Sequence, residues 1–296
     1  MGASVRHLSA EGAEPAERPV WRLVRSGRCS PAENMAIDEA ILIGVGGGHS
    51  PPTLRFYGWK PAALSIGYFQ KAEDEVDLHE LRRRGLGFVR RPTGGRAVLH
   101  DNELTYSVIV PESHPGMPAS VGDACRLLNR GLACGLRRLG IDARPAGLPD
   151  GGKRPVSPAA SAACFDSPSS YELVAGGRKI AGSAQMRQRG AILQHGSVPF
   201  ELDADLLYAV LRFSSERIRD RMKAAFADRA AAVNDLLRRA GAPPVTPEAA
   251  EDAFTAGFEE GLGIRLVPGG LTDEERETAG RLAREKYGSD GWNLRR

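Results

Sequence analysis

A cysteine and a lysine fifteen positions apart are the two residues whose chemistry could be catalytic. Cys164 stands in the run Ala-Cys-Phe-Asp-Ser-Pro-Ser-Ser-Tyr-Glu (163–172), and Lys179 stands in Gly-Gly-Arg-Lys-Ile-Ala-Gly-Ser-Ala-Gln (176–185). A nearby ammonium group favours the thiolate over the thiol, and the thiolate is the form that attacks an acyl carbon. If the two side chains meet in the fold, they predict an enzyme that moves acyl groups through a thioester on Cys164.

The other cysteines, Cys29, Cys125 and Cys134, do not have the spacing of a metal site or a redox pair. No two cysteines are separated by two residues and no histidines cluster near them, which argues against bound zinc. A disulfide framework is not expected in a chain of 296 residues. We therefore interpret these three as structural thiols, and we expect neither a metal nor a cofactor.

Composition places the chain among ordinary globular proteins. It is 42% hydrophobic and 26% charged, and its 296 residues are enough for a sizeable core. The formal net charge of +3 is too small to argue for nucleic acid. The N-terminus has no apolar signal core, and no apolar run approaches the length of a membrane span. We expect a cytoplasmic protein with no nucleic-acid or membrane partner.

The elements that must position these residues indicate an α+β fold. Strand patterns crowd the first two thirds of the chain and helix patterns dominate the last third. This order predicts a mixed or antiparallel sheet flanked by helices, followed by a helical C-terminal tail. We expect a disordered tail over residues 1–18, a catalytic domain over 19–240, and a helical extension over 241–296 that packs on the catalytic domain.

Local signals place the candidate residues on particular elements. Residues 145–161 are rich in Pro, Gly, Ser and Ala, so we expect a flexible loop that leads to Cys164. Short strands at 171–174 and 179–181 are joined at Gly176-Gly177, which predicts a hairpin with Lys179 in its second strand. Further helices are expected at 31–42, 76–84, 120–139, 203–213, 215–240, 247–261 and 272–287.

A second signal is the run Arg-Arg-Pro-Thr-Gly-Gly-Arg-Ala-Val-Leu-His-Asp at 90–101. Its glycines would let the backbone approach a ligand, and exposed N–H groups could bind an oxyanion, a carbonyl or a phosphate. It is neither a Walker A loop nor a dinucleotide fingerprint, because the residues of both motifs are missing. Taken alone, a Gly-Gly hairpin with solvated arginines explains the run equally well.

Several segments together resemble a known family. Residues 34–39, 90–101 and 177–185 resemble the biotin/lipoate protein ligase and lipoyl-transferase superfamily. Within it, residues 164–172 and 192–196 resemble the LipM-type octanoyltransferases, and the pairs Lys286-Tyr287 and Trp292-Asn293 also fit that group. The resemblance covers nearly all of residues 20–296.

The resemblance implies a reaction and its partners. An octanoyl group leaves octanoyl-acyl carrier protein, rests on the enzyme cysteine, and passes to a lysine amine of a lipoyl-accepting protein. That acceptor is typically the glycine cleavage H protein or a lipoyl domain, and the reaction is the first step of endogenous lipoate synthesis. Thioester exchange is nearly isoenergetic and transfer to an amine is downhill, so ATP is not required. We expect a monomer that meets its two partners in turn.

The resemblance also assigns roles to residues. Cys164 is the nucleophile, and Lys179 stabilises its thiolate, holds the acyl carbonyl or moves a proton; the sequence leaves the protonation state of Lys179 open. The residues expected to bind the substrate, around the acyl pocket and the carbonyl site, are Arg91, Thr93, Gly94, Gly95, Arg96, His100, Gly182, Ser183 and Ala184. The last three of these could supply an oxyanion hole. His100 and His195 either tune the site or are structural, hydrogen-bonded histidines.

Three other functions remain alternatives. The first is an ATP-dependent lipoate–protein ligase on the same fold, which would not need Cys164. The second is an amidotransferase that moves octanoyl from H protein to other lipoyl domains, again through a cysteine. The third is a non-catalytic acyl-binding protein. The Cys-Phe-Asp-Ser-Pro-Ser context around Cys164 favours the first-step transferase.

Overall fold

The computed structural model describes residues 17–147 and 172–295 of the chain. The strands within these ranges are β1 (Val20–Cys29), β2 (Thr53–Trp59), β3 (Ala63–Ile66), β4 (Gly87–Arg90), β5 (Val98–His100), β6 (Glu103–Pro111), β7 (Arg144–Pro145), β8 (Leu173–Ala175), β9 (Arg178–Gln188), β10 (Ala191–Pro199) and β11 (Arg265–Pro268). The helices are α1 (Pro31–Gly46), α2 (Ala72–Glu75), α3 (Leu78–Arg83), α4 (Val121–Arg138), α5 (Ala204–Ala209), α6 (Glu216–Arg229), α7 (Val233–Arg239), α8 (Pro247–Leu262), α9 (Asp273–Leu282) and α10 (Asp290–Asn293), with a π-helical turn at Ala283–Tyr287 between the last two.

The described strands form one large sheet and one small sheet. The large sheet has the order β11-β1-β2-β6-β10-β9-β8-β7 and the small sheet has the order β4-β3-β5. The pairs β11–β1 and β1–β2 are parallel, whereas β2, β6, β10, β9 and β8 follow one another antiparallel. The mixed sheet predicted from the sequence is therefore confirmed.

Helices α4 and α8 cover one face of the large sheet and approach each other unusually closely. Leucines of α4 and two phenylalanines of α8 bury against β1, β2 and β6 in the largest apolar cluster. The close approach depends on two glycines. A Cβ on Gly131 would lie 2.3 Å from the ring of Phe258, and a Cβ on Gly135 would lie 2.3 Å from the ring of Phe254. Carbon atoms attract one another best at about 3.5–4.0 Å, so no side chain fits at these two positions.

Helix α1 covers the opposite face and begins where the sequence predicts. The side chain of Ser30 accepts a hydrogen bond from the backbone N–H of Glu33, and the Glu33 carboxylate accepts one from the N–H of Ser30. This capping box satisfies backbone groups that the first turn of a helix leaves without partners. Met35, Ile41 and Leu42 are fully buried between α1 and the sheet.

The C-terminal region departs from an all-helical tail in two places. β11 extends along β1 at the edge of the large sheet, so this region contributes a strand as well as helices. The helix predicted over 215–240 is interrupted at residues 230–232, where the chain becomes extended between α6 and α7. The interruption has a cause in the tertiary structure, because Ala230 forms a parallel bridge with Lys179. The division into domains at residue 240 stays a prediction.

Two sequence expectations fall largely on residues outside the described ranges. Residues 1–16 of the expected tail and residues 148–161 of the expected loop are not described. No helix in the described ranges is both long and apolar enough to cross a membrane.

Candidate active site

A cavity lies where the small sheet faces β9, β10 and the start of α1. Six of the residues predicted for substrate binding line it: Arg91, Gly95, His100, Gly182, Ser183 and Ala184. The rest of the wall comes from α1, β2, β5, β6 and β10, as Met35, Tyr57, Trp59, Val98, Thr105, His195, Gly196 and Ser197. The structure thus brings together two sequence segments that lie about ninety residues apart.

The arginine–glycine turn is held rigidly at one side of this cavity. One terminal nitrogen of the buried Arg91 guanidinium donates to the Ser65 hydroxyl at 2.6 Å, and the other donates to the carbonyl of Arg96 at 2.9 Å. Gly95 has a φ of +97°, a conformation that side chains disfavour. A Cβ on Gly67 would lie 2.0 Å from the carbonyl oxygen of Gly95, so the turn packs directly against the end of β3.

The other predicted residues of the turn support the wall instead of forming it. Thr93 is fully buried, and its hydroxyl lies 2.7 Å from Nε2 of His195. Gly94 and Arg96 supply backbone carbonyls that accept hydrogen bonds from Arg91. Among the described contacts, these three residues therefore act by positioning Arg91 and His195.

A relay of hydrogen bonds runs from Glu103 through His100 to Arg91. Nδ1 of His100 lies 2.7 Å from Glu103 Oε1, and Nε2 lies 2.6 Å from the hydroxyl of Ser65, which also accepts from Arg91. Burial raises the pKa of Glu103, but His100 and the hydroxyls of neighbouring residues outweigh burial and lower it. Glu103 is therefore ionised near neutral pH, and it orients both His100 and, through Ser65, Arg91.

A second relay connects Asp38 through His195 to Thr93. Asp38 Oδ2 lies 3.3 Å from Nδ1 of His195, while Oδ1 accepts from Arg55 at 2.7 Å. Burial lowers the pKa of His195 even though Asp38 opposes that effect. Neutral His195 can donate from Nδ1 to the carboxylate and accept at Nε2 from the hydroxyl of Thr93. The second histidine in the cavity wall is thus held by a buried carboxylate as well.

Both relays resemble hydroxyl–histidine–carboxylate triads, yet neither provides an accessible nucleophile. Ser65 and Thr93 are fully buried, and each hydroxyl is already hydrogen bonded to its histidine. A nucleophile must instead reach the acyl carbon in the cavity. The relays therefore shape the cavity walls.

Lys179 forms a buried ion pair that the sequence analysis did not anticipate. Its side chain is 1% exposed, and Nζ donates to Oε1 of Glu172 at 2.6 Å. Lys179 lies in β9, three residues before Gly182, and its carbonyl accepts from the N–H of Ala231. The sequence did contain a signal for this ion pair, because a hairpin centred on Gly176-Gly177 brings residue 172 towards the strand that contains residue 179.

A polar cluster fills the interface between β9, β10 and α4. The hydroxyl of Tyr106 lies 2.7 Å from that of Ser183, and it accepts from Gln194, which also donates to Asn129. The amide of Gln185 lies 3.5 Å from the sulfur of Cys125. These contacts hold the strand of the predicted oxyanion hole against the long helix.

The described cysteines have the properties of structural thiols. Burial raises the pKa of Cys125 to about 11, with a further contribution from the charge of Glu172. Burial also raises the pKa of Cys29 and of Cys134. Thiols with raised pKa values are mostly protonated near pH 7 and are poor nucleophiles. Cys164 lies outside the described residues, so its pairing with Lys179 stays a prediction.

The C-terminal segment supports the cavity from outside through Arg90, the neighbour of Arg91. The Arg90 guanidinium is fully buried and donates to the backbone carbonyls of Gly67, Tyr68, Gln70, Trp292, Asn293 and Arg295. Its backbone N–H donates to Asn293 Oδ1 at 2.9 Å, and its carbonyl accepts from the indole of Trp292 at 2.9 Å. This arrangement joins α10 to both loops that flank the cavity.

Metal ligation has no evident place in the described part of the chain. Within residues 17–147 and 172–295, no group of three or more His, Cys, Asp or Glu side chains could hold a metal ion. The carboxylates nearest the cavity, Asp38 and Glu103, are instead bound to histidines, hydroxyls and Arg55.

Comparison with known proteins identifies the family. Residues 30–259 match the family model of the lipoyl protein ligase A/B catalytic domain. The chain is 56% identical to octanoyltransferase LipM of Kyrpidia tusciae, over 93% of this chain and 99% of that protein. It is 49% identical to octanoyltransferase LipM of Bacillus subtilis, over 95% of this chain and 100% of that protein.

Solved structures with the same fold are lipoate ligases. A chain from the archaeal lipoylation system of Thermoplasma acidophilum, described as a bipartite lipoate protein ligase and its E2 lipoyl domain, superposes with a TM-score of 0.73 at 29% identity and covers 95% of this chain and 98% of that one. Lipoate-protein ligase A bound with ATP superposes with a TM-score of 0.72 at 30% identity and covers 94% of this chain and 98% of that one. The chain therefore belongs to the lipoyl protein ligase A/B catalytic-domain family, and within that family to the octanoyltransferases of the LipM group.

Proposed function

We propose that the protein transfers an octanoyl group from octanoyl-acyl carrier protein to a lysine of a lipoyl-accepting protein, through a thioester on Cys164. The observation that carries this proposal is the cavity between the arginine–glycine turn and the segment Gly182–Ala184. Its wall is formed mostly by apolar surface, with polar groups from Arg91, His100 and His195. A largely apolar chamber with a few polar groups suits an eight-carbon chain that is polar only at its carbonyl end.

The first step we propose is thioester exchange. The thiolate of Cys164 attacks the carbonyl carbon of the donor thioester, a new sulfur–carbon bond forms, and the bond to the donor thiol breaks. The donor leaves as a thiolate and takes up a proton. The number and type of bonds are conserved, so ATP is not consumed.

The second step is transfer to an amine. A neutral lysine side chain of the acceptor attacks the thioester on Cys164, an amide bond forms, and Cys164 leaves as a thiolate. The attacking nitrogen loses one proton, which the departing Cys164 thiolate can take up. We propose that Lys179 stabilises the Cys164 thiolate and holds the acyl carbonyl, and that Glu172, 2.6 Å from Nζ of Lys179, orients it.

We assign the predicted residues that line the cavity to substrate binding. Arg91 and His100 form polar parts of the cavity wall, and Gly182, Ser183 and Ala184 provide small residues beside the reacting carbonyl. Backbone N–H groups of this segment are our candidates for an oxyanion hole. Because the reaction depends on a free thiolate, we propose that it takes place in the reducing cytoplasm. A covalent intermediate would let a monomer receive the two carrier proteins one after the other.

A second candidate is an ATP-dependent lipoate–protein ligase. It is favoured by the likeness to lipoate-protein ligase A bound with ATP, at 30% identity and a TM-score of 0.72. In that reaction the carboxylate would be activated as an adenylate and Cys164 would be unnecessary. The requirement for ATP therefore separates the two functions.

Intact mass spectrometry tests the proposal directly. The protein is incubated with octanoyl-acyl carrier protein without ATP, and we expect an octanoyl adduct that hydroxylamine removes. The adduct should be absent in Cys164→Ser and present in the matched control Cys125→Ser. Octanoylation of a lipoyl domain only with ATP, and no adduct without it, would refute the transferase. An adduct formed from octanoyl-H protein but not from the carrier would identify the amidotransferase.

The role of Lys179 can be tested by thiol labelling. If its charge stabilises the thiolate of Cys164, Lys179→Ala should slow iodoacetamide labelling of Cys164 near pH 7. The control is Lys223→Ala, which removes a partly exposed lysine that pairs with Asp205 on the surface. Circular dichroism of both variants shows whether they remain folded. Equal labelling rates in folded wild type and Lys179→Ala would remove Lys179 from this role.

A further inference from the structure

Helix α6 presents a cationic stripe with an apolar residue beside it. Arg217 and Arg221 are exposed and lie one turn apart on the same face, and Ile218 next to them is 38% exposed. Phe226, which anchors the helix in the apolar cluster around Tyr208, lies about half a turn away from this stripe. The stripe therefore faces away from the protein core.

The charges of the stripe are not neutralised by the helix itself. Glu216 and Asp220 pair with Arg219, on another side of the helix. Asp220 borders Arg217 on the helix surface, but it pairs with Arg219, and Asp228 lies on the same face near the C-terminal end of α6. Across the described ranges, neither Arg217 nor Arg221 forms an ion pair. Exposed arginines are often merely solvated, so the position of this helix decides whether the stripe has a function.

The C-terminal end of α6 adjoins the strand that contains Lys179. Ala230, the residue after the helix, bridges Lys179, and the N–H of Ala231 donates to the Lys179 carbonyl at 2.8 Å. On the core-facing side of α6, Phe226 lines a groove that shares Val98 and Ser197 with the cavity of the candidate site. With a rise of about 1.5 Å per residue, Arg221 lies about 14 Å along the helix from Ala230.

We propose that the stripe Arg217–Ile218–Arg221 is the docking surface for the acyl donor, a carrier protein with an acidic helix. This proposal rests on the proposed function. Two arginines around an apolar residue match a surface that presents carboxylates around an apolar patch. A partner seated there would lie close enough to the site for a long flexible arm to deliver its thioester.

The chemistry of the two partners favours the acyl donor, and not the acceptor, as the protein that docks at the stripe. The donor's arm is attached through a phosphodiester, which adds negative charge beside its acidic surface. The acceptor instead delivers a lysine, which is an ammonium ion in water until it reacts, and arginines repel it. The stripe therefore suits the partner that visits first.

The test compares two charge-reversal variants of the full chain with two donors. Arg217→Glu/Arg221→Glu reverses the stripe, and Arg82→Glu/Arg239→Glu makes the same change in net charge at exposed arginines of α3 and α7. The donors are octanoyl-acyl carrier protein and the small thioester octanoyl-pantetheine. Single-turnover formation of the octanoyl adduct, and its consumption after a lipoyl-accepting protein is added, are followed by intact mass at low and high salt.

We expect the stripe variant to lower the second-order rate constant of adduct formation with the carrier-bound donor by about tenfold or more at low salt. The difference should shrink at high salt, where screening shortens the range of the interaction. With octanoyl-pantetheine the variant should match the wild type, and the control variant should match it with both donors.

Four results overturn the docking proposal: an unchanged rate with carrier-bound octanoyl, an equal loss with both donors, an equal loss in the control variant, or a loss confined to the step that consumes the acceptor. The last result would assign the stripe to the acceptor. Failure of the proposed function has a different signature, because the wild type would then form no adduct from either donor.

Discussion

Replacement of Asp38 by asparagine tests whether a buried charge holds the acyl cavity together. The Asp38 carboxylate is fully buried and accepts hydrogen bonds from Arg55 at 2.7 Å, from Ser107 at 2.8 Å and from Tyr57 at 2.9 Å. It also contacts His195 in the cavity wall. Asparagine keeps the shape of the side chain, but it removes the charge and replaces one acceptor oxygen with an NH₂ group.

The expected loss of stability in Asp38→Asn follows from the buried ion pair between Asp38 and Arg55. Two unit charges about 4 Å apart attract by about 4 kcal/mol at an effective dielectric constant of about 20. Removing one partner of a buried pair typically costs about 3–5 kcal/mol, which agrees with that figure. We therefore expect the free energy of unfolding to fall by about 4 kcal/mol at pH 7. At about 2–4 °C per kcal/mol, Tm should fall by about 8–16 °C.

The stability that Asp38→Asn loses should become smaller as the pH falls. Burial raises the pKa of Asp38, but Arg55 and His195 outweigh burial and lower it below its ordinary value. A carboxylate with a lowered pKa stabilises the folded state above its unfolded pKa of about 3.9, and this contribution is lost as the pH falls through the folded value. The difference between wild type and Asp38→Asn should be constant above about pH 5 and should shrink below about pH 4.

Urea unfolding of both proteins at pH 7 and across the acid range measures this difference. The chain offers a matched control in Asp205→Asn, since Asp205 and Lys223 also form an ion pair of 2.7 Å. The Asp205 side chain is 87% exposed, so this control should leave the unfolding midpoint unchanged. A loss below about 1 kcal/mol for Asp38→Asn, or a loss that stays constant in acid, would refute the reasoning.

The other predictions concern the reacting strand, the helix contact and the C-terminal segment. Glu172→Gln should slow octanoyl transfer by about 10²-fold or more, because Lys179 loses its carboxylate; an undiminished single-turnover rate would exclude that role. Gly135→Ala places a Cβ 2.3 Å from the ring of Phe254 and should cost about 1–3 kcal/mol in urea unfolding, with activity at 25 °C retained. Arg90→Lys keeps the charge but loses the planar fork, so KM for the acyl donor should rise and hydrogen exchange in the C-terminal segment should accelerate; unchanged exchange would contradict the clamp.

Elements encoded by local residues could be predicted from the sequence. The start of α1 depends on Ser30, Pro31 and Glu33, which are neighbours in the chain, and the structure confirms its capping box. The end of β9 was missed because residues 185–187 include polar, half-buried side chains that hide the strand pattern. β11 was missed because its four residues pair with β1, about 245 positions earlier.

In the candidate site, too, some residues could be predicted from the sequence and others could not. The turn that contains Arg91 and the segment at 182–184 were identified by composition and motif, and they line one cavity. The carboxylate that orients His195 could not be predicted, since Asp38 and His195 are 157 positions apart and only the tertiary fold brings them together. The catalytic roles of Cys164 and Lys179 stay predictions.

Arg90 supports the cavity wall partly through residues that the ribosome adds much later in the chain. The N–H of Arg90 reaches Asn293, 203 positions later in the chain. At about 5–20 residues per second, a ribosome needs roughly 10–40 s to make that intervening stretch. During that time Arg90 can bind the carbonyls of Gly67, Tyr68 and Gln70 but lacks the three carbonyls of the C-terminal segment. The contacts between Arg90 and the C-terminal segment can form only after residue 293 has been added, so this part of the support for the cavity wall is absent until then.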